Sequence, residues 1–250
     1  MIDQLSHKIK ELFYYRKLPQ SISLSKKSQD EVTQNQFLNH LEVLQRKIYE
    51  LDYVLESSFE VSNETLKLKW KEIYNQLTIL GIPVDKHDLY CSDIYRYQKH
   101  ELSLREGKYI LQLPMEQFYY FKSCDVKLIR RLIYERYSDL HDIIPLEKWI
   151  FFDLITEVND DVEDIYEDIN SINGNRFLLE VQAYGIETAV CSFQAFLSRM
   201  DKKYFPNLQK SKHRFIEKCT KIEMSLTQQL LHKRHEEIAT QGLMHVQSPS

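Results

Sequence analysis

Asp160-Asp161-Val162-Glu163-Asp164-Ile165-Tyr166-Glu167-Asp168 is the stretch on which the reading of this chain turns. Its apolar residues, Val162 and Ile165, continue a helical spacing that runs from Phe151, Leu154, Ile155 and Val158 to Ile169. The pattern predicts one long helix from Pro145, placed where a first turn begins, to about Ile172, with Gly174 as its C-terminal cap. At about 100° per residue, Asp153, Glu157, Asp160, Asp161, Asp164, Glu167 and Asp168 share roughly one third of its circumference. Like charges at i, i+4, such as Asp160, Asp164 and Asp168, destabilise an isolated helix by roughly 0.2–0.5 kcal/mol per pair. No Lys, Arg or His interrupts the acids between Trp149 and Asn175. Two readings follow. The helix carries a solvated acidic face, or the acids answer to a bound cation, for which an oxygen-rich carboxylate set suits Mg2+ or Mn2+.

Outside this stretch the chain is poor in helix breakers. Its 250 residues include only 5 Gly and 6 Pro, which leaves long uninterrupted segments and argues for helices over many short strands. Helical spacing predicts elements over about 1–16, 31–57, 62–80, 86–104, 123–137, 176–201 and 207–239, besides the acidic one. A polar loop is expected over 20–30 and a disordered tail over 242–250. No linker rich in Pro, Gly or Ser divides the chain. The expectation is therefore one all-α domain over 1–241, a single-domain bundle of about eight helices.

Composition narrows the function classes. A formal net charge of −4 gives no sign of a nucleic-acid partner. No apolar run approaches the ~20 residues that span a bilayer, so an integral membrane protein is not expected. Cys91, Cys124, Cys191 and Cys219 form neither a zinc knuckle nor a redox pair, and reduced thiols in a cytoplasmic setting are the default. The polar start, Met1-Ile2-Asp3-Gln4, has no signal-peptide core. His232 and His235 lie at i, i+3 on the last predicted helix, without an evident third ligand.

The acidic stretch resembles the second metal-binding motif of the class I isoprenoid synthases, the α-helical family of terpene cyclases, squalene and phytoene synthases and trans-prenyl diphosphate synthases. Asp160 takes the first position of that motif, Asp161 the second, Val162 the aliphatic one, Asp164 the middle one and Asp168 the last. A Gly-Asn element commonly follows, and here Asn173-Gly174-Asn175-Arg176 follows. Lys122-Ser123 stands upstream much as a Lys-Thr pair does in the trans-prenyl diphosphate synthases.

The resemblance implies a helical bundle around a central cavity, with Asp160, Asp161, Asp164 and Asp168 as catalytic acids. Asp160, Asp164 and Asp168 would bind Mg2+ or Mn2+. No first Asp-rich motif of the family's form is present; Asp52 and Glu56, on a predicted helix well upstream, are the further metal candidates. Lys122, Arg130, Arg131, Asn175 and Arg176 would bind the substrate diphosphate, because guanidinium forks match phosphate oxygens. Phe118, Tyr119, Tyr120, Phe121 and Trp149 are available to line an apolar, water-free pocket. The implied activity is Mg2+-dependent ionisation of a prenyl diphosphate by a terpene synthase or prenyltransferase. A homodimer stays open. The rival expectations are a non-catalytic helical protein whose acidic face docks a basic partner, and a homologue that binds prenyl diphosphate without turnover.

Overall fold

The computed structural model describes residues 2–27, 30–57, 61–105, 110–170, 174–206 and 213–243. In chain order the helices are α1 (Ile2–Tyr15), α2 (Leu18–Ser23), α3 (Glu31–Ser57), α4 (Asn63–Ile79), α5 (His87–Arg105), α6 (Met115–Lys122), α7 (Cys124–Arg136), α8 (Leu140–Ile143), α9 (Trp149–Glu163), α10 (Ile165–Asp168), α11 (Arg176–Tyr184), α12 (Ile186–Tyr204) and α13 (Arg214–Gln241). Short 3-10 turns occupy Val84–Lys86, Ile110–Gln112 and Leu146–Lys148. The all-α expectation holds among the described residues. No described helix is long and apolar enough to cross a membrane.

Among the described residues thirteen α-helices stand where about eight were expected. Pro19 lies in the first turn of α2, where its missing N–H costs nothing, so part of the expected 20–30 loop is helical. Gly185 splits the expected 176–201 helix into α11 and α12. Its φ of 81° and ψ of 161° belong to a region that essentially only glycine occupies. The expected helix over 145–172 is also divided: α9 ends at Glu163, Asp164 caps it with φ −89° and ψ 9°, and α10 adds one turn. Of the expected 207–239 helix, α13 supplies the part from Arg214, and 207–212 lie outside the described residues. So do 244–250 of the expected tail.

The chain divides into two compact units. The first comprises 1–102 and 124–146, the second 103–123 and 147–250. The division interleaves, and the chain passes from one unit to the other at the α6–α7 junction. No linker composition marks it for that reason. In the first unit α3 buries Leu41, Leu44, Ile48, Leu51 and Leu55 along one stripe, against α1, α4 and α7.

The second unit is built around α9. That helix packs against α6, α11, α12 and α13, and twelve of its fifteen residues are buried. The surface-helix reading is thereby corrected: acids that share a third of the circumference on paper meet different surroundings. Asp153, Glu157 and Asp161 are buried, Asp160 is half-buried, and Glu163 and Asp164 are exposed.

The end of α9 accounts for all four carbonyls that a helix leaves without intrahelical partners. Asp160 O accepts from the Asp164 N–H at 2.8 Å. Asp161 O accepts from Asn175 Nδ2 at 2.7 Å. Val162 O accepts from Arg234 Nε at 3.0 Å, and Glu163 O from Arg234 Nη2 at 2.6 Å. Arg234 thus brings a cation from α13 to the negative end of the α9 dipole. Its third branch, Nη1, donates to Glu237 Oε2 at 2.6 Å.

Candidate functional site

Three elements of the second unit converge on Asp161. Its carboxylate is buried and accepts from Tyr119 Oη at 2.8 Å and from Lys122 Nζ, both on α6. It also accepts the backbone N–H of Arg176 at 2.8 Å, the first amide of α11. A carboxylate at a helix N-terminus meets the positive end of the dipole. Tyr119 and Lys122 are three residues apart on α6, so one face of that short helix delivers both donors.

The electrostatics follow from burial and charge. Burial pushes the Asp161 carboxyl above its ordinary value, against the pull of Lys122, Tyr119 and the Arg176 N–H. Burial opposes charge on Lys122, but Asp161, Glu157 and Asp168 outweigh it and hold the ammonium above the usual lysine range. Burial and the Asp161 charge push the Tyr119 phenol well above its ordinary value.

The motif's other positions lie at the α9–α10 break. Asp164 reaches solvent, and Asp168 is half-buried. Partial burial, then the carboxylates of Glu167, Asp168 and Glu163, push the Asp164 carboxyl up to about 6, against Lys122. Asn175, fully buried, joins Asp168 to this arrangement. Its Nδ2 donates to Asp168 Oδ2 at 2.8 Å as well as to Asp161 O, while its Oδ1 caps α11 by accepting from the Leu178 N–H at 2.9 Å.

A carboxyl raised in the folded state contributes stability that is complete below its unfolded value and lost as pH rises through the folded one. Asp164→Asn removes that loss. The variant is expected to melt above the wild type near pH 8, and the gap should close as pH falls through about 6 toward the ordinary carboxylate range. Melting curves across that range check it; equal melting temperatures at high pH would contradict the crowding of Asp164.

The remaining candidates fall elsewhere. The Arg176 guanidinium is committed to Glu180 Oε1 at 2.8 Å and Leu113 O at 2.9 Å, above the Phe118 ring. Arg130, Arg131 and Asp52 belong to the first unit. There Arg130 is buried and donates to Arg16 O at 2.7 Å, and Arg131 lies over the Tyr90 ring and pairs with Glu135. Asp52 is half-buried on α3, and the Glu56 side chain lies outside the described residues. Of the aromatic candidates, Phe118, Tyr119 and Trp149 are buried, Phe121 is half-buried and Tyr120 is exposed. A cavity of about 390 Å³ in the second unit is lined by Glu187, Val190, Cys191, Gln194, His232 and His235, not by the motif acids. Sequence reasoning missed two residues that shape the site. Arg234 gave no signal at a separation of this size. Tyr119 was read only as an aromatic wall, although its spacing to Lys122 places both on one face.

Among the described residues no group of three or more His, Cys, Asp or Glu side chains is gathered closely enough to hold a metal ion. Mg2+ usually keeps several waters and binds through one or two carboxylates plus substrate phosphates, so a closed protein cage is not what its chemistry requires. Asp160, Asp164 and Asp168 carry the carboxylate oxygens that such a hard cation takes, but they are not gathered into one group in this structure. Comparison of the chain with protein-family models, with curated proteins and with solved structures gave no match.

Proposed function

We propose that this protein is a Mg2+-dependent isoprenoid synthase that ionises a prenyl diphosphate, with its cation and diphosphate site at the α9–α10 break. The observation that carries the reading is the crowding around Asp164. Partial burial and the carboxylates of Glu167, Asp168 and Glu163 push the Asp164 carboxyl up to about 6, and Lys122 is the cation set against it. Such a place gains from a divalent cation and an anion it carries. Asp160, Asp164 and Asp168 would hold the metal, which when bound neutralises the charge of the diphosphate leaving group.

The chain's own residues do the rest. Lys122, held by Asp161, adds a fixed positive charge beside the acids. Phe118 and Tyr119 belong to the apolar core against which α9 packs and exclude water from that side. Asp161 is saturated by protein donors and serves as the anchor of Lys122 rather than as a metal ligand.

Incubation with Mg2+ and geranyl, farnesyl or geranylgeranyl diphosphate, with and without isopentenyl diphosphate, tests the reading. Mg2+-dependent pyrophosphate release is expected from at least one of them, and Asp160→Asn and Asp164→Asn should each abolish it. No release from any would count against an enzyme. Binding without release would identify a homologue that has lost turnover. The exposure of Glu163, Asp164 and Glu167 favours one further reading, a helical protein that docks a basic partner on this face, for which neither Mg2+ nor pyrophosphate would matter.

A further inference from the structure

We infer that the groove between α1 and α3 is a binding site for an acidic amino acid, a small molecule with one ammonium and two carboxylates. The groove lies in the first unit, and the inference is independent of the reading of the α9–α10 break.

Two adjoining cavities, of about 220 and about 260 Å³, run along the groove and share Asn39 and Glu42. Their combined space falls within the range of small-ligand sites, about 300–1,000 Å³. The two helices pass it in opposite directions. Ser6 and Ile9, early in α1, lie across from Val43 and Arg46, and Phe13, late in α1, lies across from Asn35 and Leu38. Asn35, Asn39, Glu42 and Arg46 recur at helical spacing, so one stripe of α3 supplies a polar wall. Ile9 and Phe13, both buried, give the groove an apolar floor.

Two charged groups on that wall lack hydrogen-bond partners in the fold. Arg46 Nε is buried and has no acceptor. The guanidinium stands 4.0 Å from Glu50, beyond hydrogen-bond reach, and Glu50 is already taken by Lys47 at 3.1 Å and Lys69 at 3.0 Å. The Arg46 side chain lines the groove and is 31% exposed, so a ligand can reach it. Glu42 is half-buried, and among the described residues its carboxylate has neither a hydrogen bond nor an ion pair. Burial pushes that carboxyl above its ordinary value, against the pull of Lys10. Folded proteins leave few covered polar groups unpaired, and those that remain call for a partner.

The order of charges defines the ligand. Arg46 lines one cavity, Lys10 the other and Glu42 both. A matching ligand offers an anion to each cation and a cation to Glu42. An acidic amino acid carries that set. The Arg46 fork suits one carboxylate, with the Ser6 hydroxyl in the same cavity. Lys10 meets the second carboxylate, Glu42 and Asn39 meet the ammonium, and the methylenes lie on Ile9 and Phe13. A dicarboxylate without the ammonium would leave Glu42 facing like charge, which discriminates against it.

Titration calorimetry of the full-length protein with L-glutamate, L-aspartate, glutarate and L-lysine tests the site. At least one acidic amino acid is expected to bind about tenfold or more tighter than glutarate, which lacks the ammonium, and than L-lysine, which lacks the second carboxylate. Glu42→Gln should weaken that amino acid by about tenfold or more and leave glutarate no weaker. Arg46→Gln should weaken both ligands. Ligand-free melts of the two variants are expected to match the wild type, since neither side chain is in the core. Lys10→Gln, at an exposed residue, should also weaken both ligands and keeps the test open if Arg46→Gln does not fold. Absence of binding by both acidic amino acids at millimolar concentration overturns the inference. So does glutarate binding as tightly as they do, or a folded Glu42→Gln variant that binds them within about twofold of the wild type.

Discussion

Lys122→Met is expected to destabilise the second unit by about 3–5 kcal/mol at neutral pH, the range found when one partner of a buried ion pair is removed. Methionine keeps most of the lysine stem, so packing is largely preserved and the loss is electrostatic. The Asp161 side chain is 0% exposed and that of Lys122 18% exposed, which leaves the carboxylate with no water to replace the ammonium. Tyr119 Oη and the Arg176 N–H remain as donors but carry no net charge. Without the lysine, burial acts on Asp161 unopposed by a cation and its carboxyl rises further. The deficit should therefore shrink as pH falls and Asp161 takes up a proton, and be largest above its raised value. Urea denaturation across pH measures it. Adding Asp161→Asn to Lys122→Met should recover part of the loss, because no buried charge then lacks a partner. A loss under about 1 kcal/mol would place the pair among surface ion pairs and refute its role as an anchor.

Arg234→Ala is expected to cost about 2–4 kcal/mol. The guanidinium satisfies two of the four terminal carbonyls of α9. Leaving a buried polar group without its partner costs about 1–3 kcal/mol each, and the dipole contact is lost as well. The exposed position of Glu163 lets water recover part of this at its carbonyl. Arg234→Lys should rescue little, since one ammonium cannot span two carbonyls and Glu237 in the fork geometry. Denaturant midpoints of the three proteins settle the order. Full rescue by lysine would show that charge alone, and not the two-carbonyl cap, stabilises this end.

The helix class was legible because it depends on composition and spacing. α3 and α4 were expected over 31–57 and 62–80 and occupy Glu31–Ser57 and Asn63–Ile79, with Ser62 capping α4 through its bond to the Thr65 N–H. The breaks at Asp164 and Gly185 were less legible for different reasons. Gly185 is a local signal whose weight was underrated: one glycine amid good helix formers, used for a positive φ. Asp164 carries no such signal. α9 stops there because Arg234 and Asn175, from α13 and the start of α11, take its last carbonyls, and tertiary partners leave no trace in local periodicity.

The acidic row shows the same limit. The absence of Lys and Arg between Trp149 and Asn175 was read as a place for a metal. Part of the answer is that a cation comes from another helix, Lys122 from α6. Asp161 is answered in that way. Asp164, with its carboxyl pushed up to about 6, is the acid for which crowding persists in the folded protein. Spacing alone treated Asp160 and Asp161 alike, yet one is half-buried and the other wholly enclosed. A helix buried all round has no single outward face, so angular position on its circumference does not decide exposure.

The most direct measurement is the melting temperature of the wild-type protein with Mg2+ alone, pyrophosphate alone and both together. A ligand that binds only the folded state adds about 2.7 kcal/mol at a hundredfold excess over its Kd, or a rise of about 5–10 °C for a protein of this size. A cation–diphosphate site at the α9–α10 break predicts that rise only when both are present, and its loss in Asp164→Asn. An unchanged melting temperature at millimolar concentrations of both would contradict it.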